Sequence, residues 1–539
     1  MADQSTTTGM KKTLGLTGVT VNAMALIAPG AFLWMTYQLQ AASTDSAGVS
    51  TAQDMWTGIV AALVVAFLTA FAFAELARKY PEAGTGSSYY FAEKAFLDRE
   101  EPAHRRWARL AKFLTGWAAH LFYWVYPGVM VAFFATIVAY VVQQIAGPGP
   151  LSDFIGGTPT LIGICVIFSI VVGAIAWRGI SGSTNVAIAI NVIQLVALIG
   201  FSILAIAFRV SNPLGIKPDE WYHPAITSVV LPHNLSGLLF QSTIAILILV
   251  GFESSTTLAA ETVNPRRDIP RGVILSLVIQ GLFAYLFEYF AANYAMVQSG
   301  AHAFGTGLGY GAASGAEAVG ITAAGLSSAP IGDMIKQIGA AFFTPEVGFI
   351  LMIVTAITVI IAILGTTLAA MNTGVRISFA MAQDNEMPEL LGALHGKYAT
   401  PHMAIAAMVV VSAIIGAIGV LGGAVTLTGI ALASNLGTFV LYGLICALTV
   451  VTFLGTTDFK AIQHLIVPVL GLIGNIIMVL VIFVVGIQTG GTTAQSTSLG
   501  LGIGGFWLLV SVLYFVFNSR ARGKAIVPSV TAASNAPGK

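Results

Sequence analysis

The sequence predicts an all-α polytopic membrane protein with about 12 transmembrane helices. Of its 539 residues, 56% are hydrophobic and only 9% are charged, whereas a soluble protein of this size would carry about a quarter charged residues. The mean hydropathy is +0.86. The apolar runs lack the alternating pattern of barrel strands, so a transmembrane β-barrel is excluded.

Twelve apolar segments reach the length of roughly 20 residues that a membrane-spanning helix needs. They lie near residues 14–40, 54–77, 111–144, 157–177, 184–209, 235–260, 270–298, 346–382, 402–421, 424–452, 465–487 and 499–519. Polar tails precede and follow them, at residues 1–13 and 520–539.

The positive charges predict that both tails are cytoplasmic. Of the 24 Lys and Arg residues, only Arg209, Lys217 and Lys336 then fall on the outer side, as the positive-inside rule expects. The polar start has no apolar run before Lys11, so we expect no signal peptide. The prediction is a multi-pass protein of the cytoplasmic membrane. Because its charges are segregated by membrane side, nothing points to nucleic-acid binding.

Two of the predicted spans are interrupted. The first contains ALIAPGAFL, Ala25–Leu33, which Pro29 and Gly30 break because proline removes a backbone donor and glycine loosens the helix. The sixth contains LILVGFE, Leu247–Glu253, with a break at Gly251. Either break alone is compatible with a simple kink.

The two breaks occupy matching positions, since each opens a block of five spans, at residues 14–209 and 235–452. Five is an odd number, so the second block is inverted relative to the first, and residues 465–519 add two helices. Interrupted helices at matching positions of inverted halves indicate a transporter's substrate site. The N-terminal end of a half-helix can hold a carboxylate, and a carbonyl end can hold an ammonium group. A zwitterion such as an amino acid fits both.

The stretch GFESSTTLAAETVNPRRDIPRG, Gly251–Gly272, resembles the sixth-span signature of amino acid–polyamine–organocation (APC) transporters. Further similarity lies in Tyr80–Ala95, with Thr85 in place of a glycine, and in Met371–Pro388. The resemblance covers about residues 14–455. It implies a LeuT-like 5+5 inverted repeat with discontinuous first and sixth helices and two C-terminal helices. It also implies secondary active uptake or exchange of amino acids or amines, with no cofactor.

The resemblance also implies where the substrate binds. The family's first-span Gly-Ser-Gly falls on Ala28, Pro29 and Gly30, so two of three positions differ. Gly30 and Ala31 still offer backbone N–H groups to a carboxylate, whereas Pro29 cannot. The amino group would meet backbone carbonyls beside Gly251, those of Leu247, Ile248 and Val250. Because this helix lacks the family's large aromatic, a third-span residue such as Tyr123 is the candidate aromatic in the pocket.

Coupling is predicted from four positions. A fifth-span lysine of some family members aligns with Gln194, which cannot carry a proton. Thr366 and Thr367 lie where sodium-coupled relatives supply hydroxyl ligands, although such threonines often bond their own helix. Glu253 is the candidate proton carrier because apolar surroundings favour its protonated form; the alternative is a carboxylate that locks the helix. A proton is favoured over sodium, and no metal site is expected.

Other residues complete the expectations. Arg376 is a candidate cytoplasmic gate residue, and Glu75 and Glu288 are expected near the membrane faces. The Gly- and Ala-rich loop 299–340 is either a flexible linker or a lid over the outer vestibule.

Several functions remain open at this stage. A small neutral amino acid is the favoured substrate, but an amine or polyamine permease or antiporter, for putrescine or ethanolamine, has the same fold. A membrane nutrient sensor normally carries an appended signalling domain, and the two polar tails are too short for one. A channel lacks repeated filter residues, and an enzyme is not expected because no nucleophile–base pair, metal motif or P-loop lysine is present. Oligomeric state is left open.

Overall fold

The computed structural model describes residues 13–27, 31–99, 101–179, 184–305 and 318–529. Within these ranges the chain is helical, and its only extended pairings are isolated bridges. The first half contains α1 Leu16–Ile27, α2 Ala31–Ala41, α3 Met55–Lys79, α4 Ser88–Leu97, α5 Pro102–Arg105, α6 Ala108–Ala146, α7 Pro150–Gly156, α8 Thr158–Trp177, α9 Thr184–Ser211 and α10 Ile226–Val230. The all-α prediction is therefore confirmed for the described residues.

The second half contains α11 Leu235–Ala245, α12 Pro265–Leu277, α13 Leu286–Ala295, α14 Gly320–Leu326, α15 Pro330–Phe342, α16 Pro345–Gln383, α17 His402–Phe453, α18 Val467–Leu480, α19 Gly486–Gln488 and α20 Gly491–Ala521. Two segments depart from α geometry near the centre of the molecule. Phe252–Glu261 is a 3-10 helix, and Val278–Tyr285 is a π-helical segment that joins α12 to α13.

Ten helical segments of the described chain are long and apolar enough to cross a membrane. They correspond to predicted spans two to twelve, because α17 runs through both the ninth and the tenth. This 52-residue helix is interrupted by the non-helical backbone of Gly423. The first predicted span appears as two pieces, α1 and α2, on either side of residues 28–30.

Large apolar side chains are exposed on the outer faces of these helices. Ile167 on α8, Val196 on α9 and Phe506 on α20 are each more than 60% exposed. Such a continuous apolar exterior would be unfavourable in water, whereas it matches the hydrocarbon core of a bilayer. The surface pattern therefore supports the same conclusion as the composition.

The centre of the bundle holds α1 and the sixth predicted span. The helix α1 packs against α9, α12, α16 and the 3-10 segment, while α6 packs against α16 and α17. The short helices α14 and α15 pack on α2. A Cβ atom at Gly332 would lie 2.6 Å from the Trp34 ring, and one at Gly325 would lie 2.9 Å from the Ala42 backbone. Glycine at these positions allows the two short helices to lie directly on α2.

Candidate functional site

The sixth predicted span breaks at Gly251, as expected. Helix α11 ends at Ala245, and Gly251 has φ +126°, a value that residues with a side chain rarely adopt. A Cβ atom here would lie 2.9 Å from the Ile27 nitrogen and 3.0 Å from the Leu26 carbonyl carbon. Both the backbone conformation and the close contact require glycine. The structure thus places this break against the end of α1, where the first span breaks.

The chain after Gly251 forms an unusually long 3-10 helix of ten residues. Four successive hydroxyls of the sequence SSTT each donate to the carbonyl three residues earlier, at 2.6–2.8 Å. Such local bonds compete with regular α-helical hydrogen bonding. Because 3-10 runs of more than three or four residues are uncommon and often mark hinges, this segment is a candidate moving element.

Glu253 lies at the break and is 3% exposed. Its Oε1 accepts a hydrogen bond from the Tyr123 hydroxyl at 2.9 Å. Its Oε2 accepts from the Tyr442 hydroxyl at 2.8 Å and from the Gly251 N–H at 3.0 Å. Three donors therefore hold this carboxylate, and through them α6, α17 and the sixth span are joined at one point.

The carbonyl end of α1 is satisfied by side chains of other spans. The last four described carbonyls of α1 are those of residues 24–27. In order, they accept hydrogen bonds from Gln280 at 2.9 Å, Thr366 at 3.1 Å, Tyr126 at 3.4 Å and Tyr285 at 2.8 Å. Side chains from three neighbouring elements thus contact the described end of α1, as unpaired carbonyls at a helix end require.

The π-helical segment explains how one span supplies two of these four donors. Gln280 and Tyr285 are five residues apart, a spacing that places them on different faces of an α-helix. In π geometry, hydrogen bonds run from residue i to i+5, so both side chains face α1. The Leu286 carbonyl accepts from the Trp56 indole at 3.0 Å, which satisfies a backbone group beside the irregular turn.

The predicted substrate contacts are only partly covered by the structure. Ala28, Pro29 and Gly30 lie outside the described residues, and Ala31 is described only as the first residue of α2. Leu247, Ile248 and Val250 are fully buried at the break. Tyr123 also lies there, although its hydroxyl is committed to Glu253.

The alignment of Gln194 with the site needs correction. Its amide donates to the Thr358 carbonyl at 2.5 Å, on α16, and not to α1. The fifth-span residue that reaches α1 is Asn191, which donates to the Val21 carbonyl at 3.3 Å and accepts from Gln280 at 3.4 Å. Asn191 precedes Gln194 by three residues, close to one helical turn. Its polarity within an apolar span was the only signal that could have indicated it.

The two threonines of the eighth predicted span behave differently. The Thr366 hydroxyl lies 3.1 Å from the Ala25 carbonyl and 3.0 Å from the Ala362 carbonyl of its own helix. The Thr367 hydroxyl donates only to Ile363, at 2.7 Å, four residues earlier. Thr366 therefore links α16 to the end of α1, whereas Thr367 forms the local bond that is common for threonine in membrane helices.

The side of the break that carries Arg376 is closed. Arg376 forms an ion pair with Glu261 at 3.0 Å and donates to the Thr257 carbonyl at 3.4 Å. The backbone of Leu14 pairs with that of Thr262. Together these contacts fasten the end of the 3-10 segment to α16 and to the chain before α1.

The opposite side of the break is closed as well. The Tyr289 hydroxyl donates to Gln40 Oε1 at 2.7 Å, which joins α13 to α2. The position of α15 is fixed by Asp333, which accepts from Tyr140 on α6 at 2.6 Å and from Ser327 at 2.5 Å. The described part of loop 299–340 thus contains two helices that pack on α2, and its role as a linker or a lid stays a prediction. The described elements thus cover the break from both sides.

The two glutamates that were expected near the membrane faces differ in burial and in partners. Glu75 lies near the end of α3, where it pairs with Arg78 and His464. Glu288, in contrast, is 1% exposed, and no hydrogen-bond donor among the described residues reaches either of its carboxylate oxygens. It is a buried acidic group within the bundle.

Comparison with known proteins gives consistent results. Residues 12–518 match the family model described as amino acid permease. The branched-chain amino acid permease BcaP of Lactococcus lactis is 27% identical over 67% of each chain. The methylthioribose transporter of Bacillus subtilis is 23% identical over 64% of this chain and 65% of its own. The D-serine/D-alanine/glycine transporter of Escherichia coli is 30% identical over 36% of this chain and 38% of its own.

Proposed function

Because the chain belongs to the amino acid permease family, we propose that it moves small neutral amino acids across the cytoplasmic membrane by alternating access. The observation that carries this proposal is the contact between Gly251 and the end of α1. It supports a single binding site made from both broken spans. The contacts on either side of that point support the proposal, because alternating access needs a gate on each side of the binding site.

The proposed substrate is a zwitterion. Its carboxylate would meet the N–H groups of Gly30 and Ala31, and its amino group would meet the carbonyls of Leu247, Ile248 and Val250. Glu253 already accepts three hydrogen bonds from the protein, so most of its acceptor capacity is used within the fold. This favours an amino acid over a polyamine. The names of two relatives, a branched-chain permease and a D-serine/D-alanine/glycine transporter, agree with a neutral side chain.

The proposed architecture has twelve spans with both termini in the cytoplasm. Two inverted blocks of five, residues 14–209 and 235–452, are followed by two helices within 465–519. Support comes from the interruption of α17 at Gly423 and from the two-part first span.

Transport is proposed to be coupled to protons or to run as exchange, without sodium. The Thr366 hydroxyl lies within hydrogen-bond distance of two carbonyls and the Thr367 hydroxyl donates within its own helix, so neither threonine favours a coupling role for sodium. Gln194 carries no titratable proton, so a coupled proton would be carried by another residue.

The proposal is tested by counterflow in proteoliposomes that contain the purified full-length protein. Radiolabelled neutral amino acids should exchange, and unlabelled alanine, valine or leucine should compete, with or without a sodium gradient. Gly251→Leu should abolish exchange, because the side chain would overlap the α1 backbone. Gly200→Leu is the matched control, since Gly200 on α9 faces open space. If only putrescine or ethanolamine competes, or if Gly251→Leu transports normally, the proposal fails.

A further inference from the structure

Glu288 is an acidic side chain without a role in the site described above. It is 1% exposed, and neither carboxylate oxygen accepts a hydrogen bond from the described residues. It lies seven residues before Ala295, the last residue of α13, which is about 10 Å along the helix axis. Glu253, the other buried glutamate near the break, has three donors.

The tyrosine hydroxyls on either side of Glu288 donate their hydrogen bonds to other residues. On its own helix, Tyr285 donates to the Ile27 carbonyl and Tyr289 donates to Gln40. Helix α13 packs against α3, α9, α10 and the π segment, and Tyr289 also contacts Tyr37 of α2. The titratable and charged residues of these elements are Tyr37, Asp54, Glu75, Arg78, Lys79, Arg209, Tyr285, Tyr289 and Tyr294. None of them is a hydrogen-bond partner of Glu288.

The nearest candidate cations on these elements have other partners. Arg209, at the end of α9, stacks on Trp221 at 3.9 Å and on Tyr294 at 4.8 Å. Arg78 and Lys79 are at the C-terminal end of α3, far from Trp56, which contacts the Leu286 carbonyl at the other end. At the C-terminal end they pair with Glu75 and Asp458. A charged carboxylate at Glu288 would therefore be buried without compensation, which is strongly unfavourable in a bilayer interior. Binding a proton removes that cost without any partner.

We propose that Glu288 binds a proton when the outer side of the transporter closes, so that closure over the substrate is linked to protonation. This inference rests on the proposed transport function and assigns the coupling group within it. When the outer side opens and water reaches Glu288, the carboxylate is hydrated and releases its proton. On closure, a hydronium ion gives its proton to a carboxylate oxygen, so that one O–H bond of the hydronium breaks, one O–H bond forms on the carboxyl group, and a neutral water molecule leaves.

The position of Glu288 connects protonation to the break. Tyr285, three residues before it, contacts the end of α1, and Tyr289, the next residue, contacts α2. The three residues thus lie on a helix that touches both pieces of the first span. A change of environment at Glu288 therefore requires movement of the same helix that supports the substrate site.

The first experiment measures binding of radiolabelled substrate to the purified full-length protein as a function of pH. Wild-type affinity should fall by up to tenfold per pH unit over the range in which the open-state carboxylate ionises. Glu288→Gln, which mimics the neutral acid, should bind with an affinity that no longer depends on pH, and Glu288→Asp should restore the dependence. Glu346→Gln, at an exposed carboxylate on α16, should behave as wild type. An unchanged pH dependence in Glu288→Gln would overturn the inference.

The second experiment does not depend on substrate. Infrared difference spectra between Glu288→Gln and wild type should show the loss of a protonated carboxylic acid band, and Glu253→Gln should retain that band. If Glu288→Gln does not fold, Glu288→Asp should shift the band instead. A wild-type protein without this band would contradict the proposal. Failure of the wild type to bind any amino acid, with the band present, would overturn the proposed function alone.

Discussion

The break after α1 and the break at Gly251 meet in van der Waals contact, yet the backbone groups that they free find partners in different places. The carbonyls at the end of α1 accept hydrogen bonds from α6, α16 and the π segment. The Gly251 N–H instead bonds Glu253, two residues ahead in its own span. The carbonyls at the end of α1 are thus held directly by neighbouring helices, whereas the break at Gly251 reaches α6 and α17 through Glu253 of its own span. Movement of the surrounding helices should therefore affect the first break more directly.

The largest effect in this comparison should come from Glu253→Ala. The substitution leaves the hydroxyls of Tyr123 and Tyr442 and the N–H of Gly251 without an acceptor, and each unsatisfied buried group costs about 1–3 kcal/mol. We expect a large loss of thermal stability in detergent and no exchange. Glu253→Gln, which keeps one acceptor oxygen, should lose less. Wild-type stability in Glu253→Ala would mean that the second break is not held by this carboxylate.

Tyr285→Phe tests the first break. It removes the donor to the Ile27 carbonyl and leaves that buried group unsatisfied, at a cost of about 1–3 kcal/mol. Exchange should slow because the junction between α1 and α2 loses support, and the melting temperature should fall. Tyr294→Phe on the same helix serves as the control, because its ring contact with Arg209 remains possible. Equal losses in both variants would contradict a specific role for Tyr285.

A pair of fifth-span variants distinguishes the residue in contact with α1 from its neighbour. Asn191→Leu removes the bonds to Val21 and Gln280 and should reduce exchange several-fold. Gln194→Leu removes only the bond to Thr358 on α16 and should have the smaller effect on exchange. The initial exchange rate per folded protein checks this order. If Gln194→Leu slows exchange more than Asn191→Leu does, Gln194 is the site residue.

The smallest effects are expected at the two adjacent threonines of α16. Thr366→Val loses its bridge to the Ala25 carbonyl, a net change of about 0.5–1.5 kcal/mol. Thr367→Val loses only a bond within its own helix and should be close to neutral. Thermal melts of both variants, with exchange measured with and without sodium, check this order. A selective loss of sodium-dependent uptake in either variant would contradict the sodium-free scheme.

The sequence was sufficient for the class of fold and for the two breaks. Long apolar runs predict membrane helices because burial in lipid depends on composition, and Gly251 marks a backbone conformation that other residues rarely adopt. The family resemblance of Gly251–Gly272 is confirmed by the match over residues 12–518. These are properties of local sequence, so they are visible without tertiary structure.

The residues that cap the breaks were largely missed for a physical reason. Which face of a helix points inward depends on its rotation, and an almost uniformly apolar span shows little periodicity. Gln280 and Tyr285 face α1 together only because of the π segment, which the sequence does not indicate. Glu288 follows the same segment, and no local pattern indicates its burial without a hydrogen-bond partner among the described residues. Tyr442 lies almost 190 residues from its partner Glu253, a separation that no local pattern bridges.

The amides of Gln40 and Gln241 each donate to the other's backbone carbonyl, at 3.3 and 3.2 Å. This reciprocal pair joins α2 to α11. Because separating the two helices would break both of these buried hydrogen bonds at once, they are expected to swing as one rigid body. Outer opening would then have a single axis of rotation, and substrate would enter between this body and its surroundings.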